Sequence, residues 1–177
     1  MRFSIFFIMI VCGFFLCRTE IIAQPLNSDI RAQLLDYLTG SCEEGEEDSF
    51  VEFVQKNEQA VTPVIIKFVQ DGVPKDFIKN LEATTLRLYA DRQKLLNEKS
   101  NFGLSEENLE ILKKESQEAF TKRMTKDFRD GFMKQTIFGL SLLRSKDAQD
   151  LLNKISTDKN HPYQRSAENA LILLKKQ

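Results

Sequence analysis

The chain has 177 residues, 42% hydrophobic and 29% charged, with 25 basic against 26 acidic residues and a net charge of −1. That length suits one ordinary domain, and the composition is globular rather than disordered. The near-balance of charge argues against a nucleic-acid binder, which neutralises several phosphates with clustered Lys/Arg, and gives no steering towards anionic lipid.

Met1-Arg2 is followed by fourteen residues without a charge, Phe3 to Leu16. A basic start, an apolar run of about 7–15 residues and a small residue at the cut describe a secretory signal peptide. Residues 1–23 are read as that segment, with Ala23 the last residue removed and Ile21 at the −3 position. A membrane anchor would need about 20 apolar residues, and Arg18 interrupts the run too early. A lipoprotein would need a small residue before its acylated cysteine, whereas Leu16 precedes Cys17 and Val11 precedes Cys12. Cleavage removes Arg2, Arg18 and Glu20 and leaves 154 residues with a net charge of −2. The expectation is a secreted or periplasmic protein with no stable membrane insertion after cleavage. Of three cysteines only Cys42 then remains, so the domain cannot staple itself and must be held by packing. Cys42 is read as an unreactive thiol, with an intermolecular disulfide as the alternative. No Asn-x-Ser/Thr acceptor follows the cut, since Asn27-Ser28-Asp29 lacks the hydroxyl at its third place.

Residues 25–177 are read as a single all-α domain of about eight helices. Asn27-Ser28-Asp29 offers side-chain oxygens to a helix start, and Ile30, Leu34, Leu35 and Leu38 follow on one face before Thr39-Gly40. Gly40 is expected to take a left-handed C-terminal turn. The acidic run Glu43-Glu44-Gly45-Glu46-Glu47-Asp48 lacks the alternating ligands of an EF-hand loop. It is read as a solvated loop whose last residues suit the positive end of the next helix; calcium or a basic partner is the functional alternative. That helix carries Phe50, Phe53 and Val54 and breaks near Asn57. Thr62-Pro63 is expected to restart the chain with Pro at the first helical position. The β-branched run 64–69 is read as helix, stopped at Asp71-Gly72, and Pro74 opens the next helix in the same way. Phe77, Ile78, Leu81, Thr85, Leu88, Tyr89, Leu95 and Leu96 form its inner stripe, with a turn at residues 100–103. Ser105 caps a helix with Leu109, Leu112, Ser116, Ala119, Phe120 and Met124 on one face. That helix is expected to end or bend at residues 127–131, because Gly131 is costly in a helix interior.

From Phe132 a phrase occurs twice. Residues 132–144 lie on 163–175 without a gap at an offset of 31. Phe132 matches Tyr163, Lys134 matches Arg165, Thr136 matches Ala167, Gly139 matches Ala170, and Leu140, Leu142 and Leu143 match Leu171, Leu173 and Leu174. Another short amphipathic segment, 146–155, lies between the copies. A helix pair recurring at a period of 20–50 residues is how stacked-helix architectures appear in sequence. Asp158, Pro162, Arg165, Ala167, Ala170 and Leu171 resemble a HEAT-type repeat, with Tyr163 departing where the family has an aliphatic. The resemblance covers residues 131–177 and is weak before them. It implies a short α-solenoid that binds a partner on a helical face, with Arg165 and Asp158 serving an inter-repeat turn rather than a ligand.

Chemistry is conspicuous by absence. One histidine and one remaining cysteine cannot assemble a zinc set, and His161 before Pro162 is read as a capping or turn residue. No nucleophile elbow, dinucleotide-binding turn or phosphate loop occurs. Tyr163 and Phe132 are read as core, and the nine phenylalanines beyond the signal segment are read as filling a helical core. The expectation is a non-catalytic exported scaffold that holds another protein, without cofactor or metal and with no partner-binding residue assigned. The alternative is an exported helical carrier of a small apolar ligand.

Overall fold

Helix α6, Gln117–Ser141, is the element on which the others are packed. Its second half is apolar on almost every side: Phe132, Met133, Ile137 and Leu140 are buried together with Thr136, Gly139 and Ser141. A helix apolar all round must be surrounded, and α6 meets most of the others. The computed structural model describes residues 28–40, 46–97 and 105–175. Among them stand α1 (Ser28–Thr39), α2 (Glu46–Lys56), α3 (Glu58–Asp71), α4 (Lys75–Asn97), α5 (Glu106–Lys114), α6, α7 (Lys146–Thr157) and α8 (Gln164–Leu174). No strand occurs among the described residues, and the chain is an all-α helical stack. No helix among them is long and apolar enough to cross a membrane. The expected signal segment, Cys42 and the acidic residues Glu43 and Glu44 lie outside the described residues, as does the turn at 100–103; Glu46 to Asp48 open α2.

One core runs through α1, α2, α3, the end of α6, α7 and α8. Leu34, Leu38, Val54, Val61, Ile65, Ile137, Leu140 and Leu152 are at most 1% exposed, each stabilising the fold by about 1.5–3 kcal/mol. Aromatic rings bridge the layers: Tyr37 lies 5.5 Å from Phe50, Phe50 lies 6.0 Å from Phe138, and Phe68 meets Phe132 edge-on at 5.5 Å. Gly139 permits the closest approach. A Cβ there would stand 3.3 Å from Phe50 Cζ and 3.4 Å from Ile65 Cδ1.

Four expectations fail. Thr62-Pro63 does not restart the chain, because Pro63 lies inside α3, which starts at the Asn57 break. The Asn57 carbonyl accepts from the N–H groups of Ala60 and Val61. Pro63 leaves the Gln59 carbonyl without its i+4 donor, but both residues are exposed, so water can serve it. Gly131 does not end a helix either. α6 passes through it, its side exposed, because burial on the following turns outweighs a cost of about 1 kcal/mol. The single helix expected from Ser105 past Met124 breaks at Glu115 (φ −63, ψ 122) and Ser116 (φ −70, ψ 156). Ser105 and Ser116 each act as an N-cap, accepting from Asn108 N and Ala119 N respectively. On α4, Leu88 and Leu95 leave the expected inner stripe, being 46% and 44% exposed, while Ile78, Thr85 and Leu96 stay buried.

Gly72 stops α3 with φ +78, its N–H on the Phe68 carbonyl at 2.8 Å. Gly40 ends α1 through its N–H on Asp36 O at 2.7 Å. The run 64–69 is helical, and Pro74 precedes α4 with its carbonyl accepting from Ile78 N.

Candidate functional site

The two longest helices, α4 and α6, pack side by side and leave an open groove of about 910 Å³ between them. Glu82 and Leu86 form its α4 wall, and Glu118, Thr121, Lys122, Thr125, Lys126 and Arg129 its α6 wall. The surface is mainly apolar although only Leu86 and Tyr163 are apolar residues. Lys and Arg stems and Thr methyls supply the rest, leaving the charged heads at the rim. Leu86 is 45% exposed. The hydroxyl oxygens of Thr121 and Thr125, one turn apart, are sealed from solvent and have no hydrogen-bond partner.

Each end of the groove is pinned. At the α5–α6 corner Glu115 receives Arg123 Nε at 3.0 Å and Arg123 Nη2 at 3.1 Å, and Arg92 Nη1 of α4 on its Oε2. The Tyr89 hydroxyl donates to the Glu115 carbonyl at 3.0 Å, and the Arg92 guanidinium lies 4.3 Å from the Phe120 ring centre. The Arg123 hydrogen bonds, with Arg92 behind them, hold the Glu115 carboxyl at about 2 against the opposing effect of burial. Both oxygens are bound by guanidinium, so this carboxylate is a structural clamp rather than a proton carrier. At the other end the Tyr163 hydroxyl donates to Asp130 Oδ1 at 2.9 Å. Burial first, then that bond, push the phenol up to about 12. Tyr163 and Arg129 also border a second cavity of about 400 Å³ beside Gly72, Ile78 and Met133.

The residues weighed in the sequence divide accordingly. Phe132 is core at 1% exposure. Tyr163, expected there too, is half-buried and borders the groove. His161 sits in the turn before α8, its Nδ1 accepting the Tyr163 N–H at 3.2 Å. Asp158 closes the same turn on Asn160 N at 2.9 Å. Arg165 does not take the expected inter-repeat role. It is exposed, and Gln164 ties α8 to α7 through the Ser156 carbonyl at 3.1 Å. Among the described residues no group of His, Cys, Asp and Glu could hold a metal ion. Leu86, Lys122, Lys126 and Arg129 were not legible as a site, because their pattern is that of a solvated helix face. The one available signal was the spacing of 122, 126 and 129, which places three cations on one side of α6.

The molecule is thus an all-α stack with an open interhelical groove. Compared with protein-family models, curated proteins and solved structures, the chain has no match.

Proposed function

We propose that this protein is an exported, non-catalytic helical scaffold that holds a partner protein, with the α4/α6 groove as its seat. In this reading the N-terminal residues 1–23 direct export, and residues 131–177 form a HEAT-like pair. The observation that carries it is the groove's form: about 910 Å³ between two long helices, open along its length and apolar beneath a charged rim. A carrier would enclose its ligand, whereas this groove leaves one side for a larger body to fill.

The test is a photo-cross-linking amino acid placed at Leu86 and, as a control, at exposed Lys67 on α3. A discrete protein adduct from the extracytoplasmic fraction at Leu86 alone is the expected result. Organic extraction of the same purified protein provides the opposing arm. Stoichiometric lipid or sterol, with no protein adduct, would overturn the scaffold in favour of the carrier.

A further inference from the structure

The α6 wall of the groove carries Lys122, Lys126 and Arg129, four and then three residues apart. Steps of four and three keep side chains on one helix face, and at about 1.5 Å per residue the ladder is roughly 10 Å long. None of the three makes an ion pair among the described residues. Neighbouring cations are treated differently, since Arg92 and Arg123 are both committed to Glu115. Three carboxylates line the groove too, none paired with the ladder: Asp130 accepts the Tyr163 hydroxyl and Glu118 lies at one end of the same wall, while Glu82 stands on the opposite wall. The cations from 122 to 129 thus lie unpaired between two carboxylates on α6 and face one on α4, over a floor of Leu86 and threonine methyls.

Resting on the scaffold reading, we propose that the groove takes an amphipathic helix of a partner protein, its apolar face on Leu86 and an acidic edge against Lys122, Lys126 and Arg129. A helix repeats its faces at the same four-and-three spacing as the ladder, so carboxylates at i, i+4 and i+7 meet all three cations. The apolar face displaces water from Leu86 and the alkyl stems, as in other helix-in-groove recognition. Glu82 opposes a carboxylate placed on the wrong edge and so sets the orientation in which the helix lies.

The probe is a stapled 15-residue amphipathic peptide with leucines on one face and glutamates at i, i+4 and i+7 on one edge. A twin carries lysines at those three positions. Fluorescence anisotropy with the whole protein is expected to give at least tenfold tighter binding of the glutamate peptide, with the preference shrinking as salt rises. All three cations are exposed, so the K122E/K126E/R129E variant should fold, which circular dichroism checks, and its preference should invert. Equal binding of the twins, binding of neither, or no inversion overturns the proposal. Phosphatidylglycerol vesicles form a further arm: co-sedimentation lost in the triple variant, with no peptide preference, would assign the ladder to a membrane surface and overturn it too. A Leu86 cross-linked partner that the triple variant still captures would remove the acidic-helix inference and leave the scaffold standing.

Discussion

Glu115→Gln keeps the shape of the clamp at the α5–α6 corner and removes its charge. The carboxyl is held at about 2 against an ordinary 4.5, through the Arg123 bonds first and Arg92 after burial. At about 1.4 kcal/mol per tenfold change in proton affinity, the ceiling on this contribution at neutral pH is about 3 kcal/mol. The side chains of Glu115 and Arg92 are each 18% exposed, but that of Arg123 is 47% exposed, so solvent screens part of the larger share. The expected loss is about 1–2 kcal/mol at pH 7. A folded-state pKa below the unfolded one stabilises above the unfolded value and loses that stabilisation as pH falls through the folded value. The stability curves of wild type and E115Q should therefore run parallel above about pH 5 and converge between 4.5 and 2.

Urea unfolding at pH 7, 5, 4 and 3 measures both the gap and its closure. A gap that stays constant down to pH 3 would refute the electrostatic account, leaving shape or packing as the cause. A gap under about 0.3 kcal/mol at pH 7 would mean that screening cancels the clamp. Arg92→Met separates the guanidinium from the carboxylate. It also removes the stacking on Phe120 at 4.3 Å, so it should cost more than E115Q and leave a pH-independent residue of destabilisation.

Gly131→Ala should raise stability by about 0.5–1 kcal/mol in thermal or urea unfolding, because it sits inside α6 and an added Cβ meets nothing within 4 Å. Gly139→Val should do the opposite, costing about 1–3 kcal/mol, since the first added carbon already stands 3.3 Å from Phe50. The double change Thr121→Val and Thr125→Val removes two sealed hydroxyls without partners; calorimetry should show unchanged or higher stability, by up to about 1 kcal/mol per site. Ultraviolet titration should show a late tyrosine step at about 12, and Tyr163→Phe should abolish it.

Helix identity was legible wherever the signal was local. Ser105 as a cap and Gly72 as a stop follow from a side-chain oxygen and a missing Cβ, and at the Asn57 break the side-chain amide donates to the nearby Phe53 carbonyl. The break at Ser116 was hidden because Leu109, Leu112, Ser116, Ala119 and Phe120 keep helical spacing straight across it. What draws Glu115 out of the helix is Arg92, 23 positions earlier, and no local pattern announces such a partner. Gly131 and Pro63 mislead in the other direction. Their propensities are real but small beside the burial of Phe132, Met133, Ile65 and Phe68 on either side. The groove escapes the sequence for a further reason. Its apolar surface comes from the stems of charged side chains, which any hydropathy pattern counts as polar.

The two copies of the helical phrase show how far a sequence likeness determines environment. Thr136 and Ala167 are both fully buried, and Gly139 and Ala170 both lie inside, so the small residues occupy equivalent close approaches. The larger side chains do not agree. Leu142 is 5% exposed but Leu173 41%, and buried Ser141 corresponds to Ile172 at 53%. The helix carrying the first copy packs on α1, α3, α4, α7 and α8 and touches Phe50 of α2, whereas α8 packs on α6 and α7. Uncovered apolar area is non-directional and specifies no occupant. The α4/α6 groove adds an unpaired run of three cations on its α6 wall, facing Glu82 on α4, which restricts both the chemistry and the orientation of what can lie in it. Selective recognition is therefore expected at the groove rather than on the exposed side of α8.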